Sequence, residues 1–176
     1  MSFSISTFRS SGMNQGGARP NLFEVFIVGQ AIPANFRYLC KIATIPPSTM
    51  GVVEVPYFGR MVKVPGNRTF DNLSVTVIND EDYMVRNGIE NWMNRMNTHV
   101  GNVSEEPNGL FSDMTISHYS RKGGTSPIGG GSWFFKNCFP VALGEIGLDW
   151  GSNDTIEEFT IDFAFDYWIH GANTPG

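Results

Sequence analysis

Glu145 and Asp149 lie four positions apart, and Trp150 adjoins the second acid. Two carboxylates can share the acid and nucleophile roles of glycoside cleavage, so a β-barrel hydrolase using this pair is one reading. Acids in turns between strands ordinarily bind local backbone N–H groups or water instead. Other constellations carry less. The glycine run Gly129-Gly130-Gly131 is followed by no Gly-Lys-Ser/Thr and opens no helix, so it is not a phosphate loop. His99, His118 and His170 share no metal-ligand spacing. No Gly-x-Ser-x-Gly elbow is present. The expectation is a chain with no catalytic residues, no cofactor and no metal.

Charge is distributed unevenly. Residues 137–176 hold seven acids (Glu145, Asp149, Asp154, Glu157, Glu158, Asp162 and Asp166) and no Lys or Arg. The whole chain has 12 basic and 17 acidic side chains, so residues 1–136 carry 12 − 10, or +2. One negative end on a mildly positive body favours head-to-tail contact between copies. A net charge of −5 with scattered basic residues argues against wrapping DNA.

The 176 residues suit a single domain, and 14 Phe and 4 Trp supply a core. Charged residues make up only 16 %, against roughly 25 % in ordinary soluble domains. Such a surface fits either coverage by partners or a β-rich chain using Ser, Thr and Asn. Cys40 and Cys138 show no CxxC spacing and read as reduced strand residues. Neither a signal peptide nor an apolar run of about 18 residues is visible, so cytoplasmic synthesis without membrane insertion is expected.

The positioning elements follow from periodicity. Residues 1–19 are rich in Ser, Gly and Gln and read as a flexible arm. Phe23 to Val28 is a mostly apolar strand consistent with burial on both faces, and Phe36 to Ile45 an alternating one ended by Pro46 and Pro47. Residues 47–68 form an arm-like hairpin with Glu54 against Arg60, Lys63 and Arg68; its apolar content is too small to bury itself. It packs either on its own domain or on a neighbour. Leu73, Val75 and Val77 alternate with Asn72, Ser74 and Thr76. The one convincing helix spans 81–97, capped by Asn79 or Asp80, with Val85, Ile89, Trp92, Met93 and Met96 on one stripe. Met114 to Tyr119 and Trp133 to Phe139 are further strands, separated by a flexible Gly-rich loop at 123–131. The last strand runs from Thr155 to Trp168, where Glu158, Thr160 and Asp162 alternate with Phe159, Ile161 and Phe163. The fold class is therefore mainly β: an antiparallel β-barrel or sandwich with one flanking helix and an extended hairpin arm.

Several strings, in order, resemble the tail tube family of T-even-type contractile-tailed bacteriophages. They are Ala18-Arg19-Pro20-Asn21-Leu22-Phe23, Cys40-Lys41 with Ile45-Pro46, and Asn67-Arg68-Thr69-Phe70-Asp71. Val75 to Glu81, Gly144-Glu145-Ile146, Leu148-Asp149-Trp150, Ser152-Asn153 and Asp166-Tyr167-Trp168 complete the series. The Gly-rich stretch at 123–131 and the extension 169–176 depart from it. The remainder, 20–168, reads as one tail-tube domain.

The resemblance implies a structural, non-enzymatic virion subunit, assembled in the host cytoplasm, whose copies form hexameric rings stacked into a hollow tube. Sheath, baseplate and tail terminator proteins would be its partners outside the bore. Tape measure protein and passing DNA would occupy the bore without sequence-specific binding. On this reading the hairpin contacts the adjacent ring through Val55, Tyr57, Phe58, Arg60, Met61 and Lys63. Two faces suit a lumen that must not capture phosphates: Asn72, Ser74 and Thr76, or Glu158, Thr160 and Asp162. Arg86, Glu90 and Arg95 of the helix would face the sheath or simply be solvated. The tube of a related injection apparatus, or a baseplate paralogue that starts the tube, is the neighbouring reading.

Overall fold

The computed structural model describes residues 4–11, 13, 17–29, 32–104, 109–123 and 126–171. Parts of the expected arm and C-terminal extension, and Gly124 and Thr125 of the expected loop, lie outside them. Along the chain come α1 (Ile5–Ser10), β1 (Phe23–Val28), α2 (Phe36–Leu39), β2 (Cys40–Thr44), β3 (Ser48–Tyr57) and β4 (Arg60–Phe70). Then follow β5 (Leu73–Ile78), α3 (Met84–Met96), β6 (Ser112–Tyr119), β7 (Pro127–Leu143), β8 (Glu158–Ala164) and β9 (Tyr167–His170).

One sheet runs β1-β6-β7-β8-β5-β2 with β9 beside β7, while β3 and β4 pair only with each other; every pairing is antiparallel. The long β7 changes partners midway. Up to Cys138 it pairs with β6 and β9, and from Phe139 onward with β8. The switch falls at Asn137, which adopts φ 56°, a left-handed conformation that Asn tolerates better than most residues. Asp113 Oδ1 accepts from the Asn137 N–H at 3.4 Å, and Asn137 Nδ2 donates to Asp166 at 2.5 Å. The two arms of the sheet thus close on one core. Val25, Met114, Ile116 and Phe135 come from one arm; Leu73, Val75, Val77, Phe159, Ile161 and Phe163 come from the other.

Helix α3 seals this core with Val85, Ile89 and Trp92, while Met93 and Met96 pack at its margin. It begins at Met84, because Tyr83 takes a left-handed φ of 52° and Asp80 Oδ1 accepts from Met84 N at 3.1 Å. Trp92 Nε1 donates to the Leu110 carbonyl at 2.6 Å, a buried bond that pins the helix to the following loop.

Five expectations change. The arm is not structureless: α1 forms because Ser4 caps the Thr7 N–H, although the helix buries none of its residues. Phe36–Leu39 is a helical turn, since the Pro33 and Asn35 carbonyls capture the N–H groups of Phe36, Tyr38 and Leu39. Strand β1 is not buried on both faces; Val25 is enclosed but Phe26 and Val28 are half-exposed on a sheet edge. Residues 127–131 belong to β7, and a side chain at Gly131 would meet the His118 and Ile128 carbonyls at 3.2 and 3.1 Å, so only glycine lets these backbones approach. The final strand is two, because Asp166 N donates to Lys136 O at 3.1 Å and turns the chain from β8 onto β7.

Candidate assembly surfaces

Every residue of β3 is exposed, as is every residue of β4 except the half-buried Gly66 and Phe70. Among the described residues, the hairpin beyond its root does not pack on its own domain. Its root meets the body, where Phe70 lies against Phe165 and Trp168 at ring distances of 5.8 and 6.1 Å. Its tip is the two-residue turn Phe58-Gly59, with φ of 44° and 75° as tight hairpin turns require. Phe is a poor residue for a left-handed position, and here it is 90 % exposed, edge-on to Tyr57 at 4.7 Å. Val55, Met61, Arg60 and Lys63 complete an apolar, basic surface that the isolated chain leaves in water.

The two polar faces offered by the sequence are one. In the β5–β8 ladder Ser74 pairs with Asp162, Thr76 with Thr160, and Ile78 with Glu158. Thr76 and Thr160 approach at 3.3 Å between hydroxyls. Thr44 and Ile42 of β2 extend the same rows past Ser74 and Thr76, and Ala142 of β7 lies beyond Asp162. Asn72 is exposed just before β5, outside the ladder. Glu158 is balanced by Lys41 at 2.5 Å. Two strand edges flank this face without a paired strand among the described residues: the outer side of β2 and residues 139–143 of β7.

On α3, Arg86 is turned inward. It bonds Glu90 at 3.0 Å and the Gly144 carbonyl at 3.2 Å, lies over the Phe159 ring, and its side chain is 20 % exposed. Glu90 and Arg95 are more open to solvent.

The acid pair behaves as local structure. Asp149 Oδ1 accepts from Gly151 N at 2.9 Å, closing a turn, and Glu145 is exposed. His118 contacts the Arg19 carbonyl, the His170 ring lies tilted against Trp133, and His99 is exposed. Among the described residues no group of three or more His, Cys, Asp or Glu could hold a metal, and no helix is long and apolar enough to cross a membrane. Both cysteines are free thiols; burial pushes Cys138 up to about 12.

A family model described as phage tail tube protein matches residues 6–171. The chain belongs to the phage tail tube family. Tail tube protein gp19 of Enterobacteria phage T4 is 34 % identical over 157 residues, covering 86 % of this chain and 90 % of that protein. The tail tube protein of Serratia phage KSP90 is 26 % identical over 169 residues, covering 92 % and 93 %. Among solved structures, a chain of the extended PVC sheath–tube complex, from an extracellular contractile injection system, aligns with TM-score 0.62 at 21 % identity, over 96 % and 98 % of the two chains. The tube-terminating cap of the anti-feeding prophage aligns with TM-score 0.66 at 20 % identity, over 89 % and 91 %. These two share the fold.

Within this tail tube fold, one surface escapes a reading of the sequence. Leu148, Trp150 and Ile156 are exposed on the loop between β7 and β8. In the sequence these residues stand within an acidic stretch with no base, and Leu148-Asp149-Trp150 is one of the strings that carry the family resemblance, but nothing there marks them as a shared exposed surface.

Proposed function

We propose that this tail tube protein assembles into hexameric rings stacked as the hollow conduit for DNA ejection inside a contractile sheath. What carries the reading is the hairpin, exposed beyond its root, whose apolar tip stays in water until another copy covers it. The unpaired sides of β2 and of residues 139–143 support it, because open edges are aggregation hazards unless a partner strand closes them. Side-by-side pairing of these edges gives a closed ring with a heterologous interface.

In that ring the face bearing Ser74, Thr76, Thr160, Asp162 and Glu158, with Asn72 at its border, lines the bore. It is hydroxyl-rich and carries acid, so phosphates slide past without capture. Tape measure protein and DNA pass there. The hairpin residues Val55, Tyr57, Phe58, Arg60, Met61 and Lys63 reach the adjacent ring. Glu90 and Arg95 face the sheath, while Arg86 braces the helix. Baseplate and terminator proteins cap the ends in a virion assembled in the host cytoplasm. Likeness to chains from sheath–tube, terminator and baseplate structures supports these partners.

Negative-stain microscopy of the purified protein at rising concentration tests the reading. Hollow rings or rods are expected. Monomers at every concentration, including with sheared virion tails as seeds, would overturn it.

A further inference from the structure

The hairpin and the 144–157 loop leave opposite ends of the same sheet. Strand β2 ends at Thr44, opposite Ser74 near the start of β5, and the hairpin spans the gap between those two strands. At the other end, Ile78 pairs with Glu158, and the 144–157 loop enters that strand there. The two features therefore project in opposite directions along the strands.

They also match chemically. Hairpin residues 48–70 hold Arg60, Lys63 and Arg68 against Glu54, a net of 3 − 1, or +2. Residues 144–157 hold Glu145, Asp149, Asp154 and Glu157 with no base, a net of −4. Both surfaces are oily as well as charged. Phe58 tips the hairpin, while Trp150 is fully exposed and Leu148 and Ile156 are 82 % and 71 % exposed. Both ends of the loop are pinned to the body. Gly144 N donates to Thr160 O at 2.7 Å, and Tyr83 and Asn79 bond Glu157 at 3.0 and 3.2 Å.

From this pairing we propose that the hairpin of one copy seats on the 144–157 loop of the next copy along the stack, with Trp150 at the centre of the contact. The inference rests on the stacked-tube reading and names the surface that receives the hairpin. Complementary charge selects this contact over the alternatives, because hairpin against hairpin sets +2 on +2, and loop against loop sets −4 on −4. Each copy then carries one donor end and one acceptor end, so growth is head to tail and the tube has a direction.

A double-mutant cycle tests the contact. The hairpin pair Arg60→Glu and Lys63→Glu changes its net charge to 2 − 4, or −2. Glu145→Lys with Asp149→Asn and Asp154→Asn brings the loop to −4 + 2 + 1 + 1, or zero, and keeps oxygens able to accept the local N–H groups. Circular dichroism confirms folded subunits, and sedimentation gives the critical concentration for seeded rod growth. Hairpin reversal raises that concentration about tenfold or more with the native loop, and less than about threefold with the neutral loop, on the scale of close charge pairs across interfaces. Equal cost in both backgrounds overturns the contact while leaving the tube reading intact. Absence of rods from the wild type overturns both. Fluorescence gives a second readout: the difference between wild type and Trp150→Phe moves to the blue on rod formation, and an emission unchanged from free subunit to rod also overturns the proposal.

Discussion

Ser74 and Asp162 stand directly opposite one another across the β5–β8 ladder, with Thr44 and Ala142 continuing the row on either side. One acid among small, uncharged neighbours gives this row a weakly negative character, which on the proposed reading keeps passing phosphates free. Lysine at either position would convert it to a counterion for DNA. Asp162→Lys and Ser74→Lys are both half-exposed changes, so thermal midpoints should shift by no more than about 4 °C, the scale of 1 kcal/mol for a chain of this size. In virions carrying either variant, DNA release after triggering should slow, and most at low salt. Release times equal to wild type in both variants would remove this face from the bore.

Trp92 is the polar lock on the helix. Its Nε1 gives the Leu110 carbonyl a bond of 2.6 Å inside the core, and its ring lies 6.2 Å from Phe163. Trp92→Phe keeps most of the apolar contact but strands a buried carbonyl, at a cost of about 1–3 kcal/mol. Urea unfolding should show that loss with an unchanged slope against denaturant. A loss below about 0.5 kcal/mol would mean the carbonyl finds another donor.

Local periodicity made some of this architecture legible. Leu73 to Val77 and Glu158 to Phe163 alternate strictly, and burial follows the alternation residue for residue. The stripe from Val85 to Trp92 likewise faces the core. Where backbone partners outside the alternating run decide, near or far, linear reading fails. Phe36 to Leu39 alternates well enough for a strand, yet the carbonyls of Pro33 and Asn35 wind it into a turn. The break at Asp166 depends on the Lys136 carbonyl, and the strand at Gly131 depends on close approach to the His118 carbonyl of β6. The same holds for the surfaces. The hairpin announced itself through apolar content with no partner in its own segment. That Ser74 and Asp162 share a face is a fact of register between strands far apart in sequence, which neither strand encodes alone.

Gly144 shows how tightly the second half of β7 is laid down. A Cβ there would stand 2.9 Å from the Thr160 carbonyl oxygen and 3.1 Å from its nitrogen, both backbone atoms. Neither can rotate away. Gly144→Ala should therefore cost about 1–3 kcal/mol, as overpacking does, by prising β7 from β8. Gly147, three positions on, has nothing within 4 Å of such a Cβ. Gly147→Ala should stay within about 0.5 kcal/mol of wild type. Thermal unfolding of the pair checks the contrast, and similar midpoints for the two variants would refute it.

Cys138 gives the fold an alkaline limit. Burial raises its thiol from 9.0 to about 12, and the side chain is fully enclosed. In the unfolded chain the thiol loses its proton near 9.0, while the folded protein holds that proton until about 12. The folded state thus binds more protons in that window, and its stability falls as pH rises, by up to about 1.4 kcal/mol per pH unit from this group. Below 9 the contribution is fully present. Tyr83 and Tyr119 add slope of the same sign, because their hydrogen bonds to Glu157 and Glu24 raise them. The comparison that isolates the thiol is wild type against Cys138→Ala. Urea unfolding at pH 8, 9.5 and 10.5 should give a steeper decline for the wild type, whatever cavity offset the alanine introduces at pH 8. Parallel declines would show that Cys138 ionises at the same pH in both states.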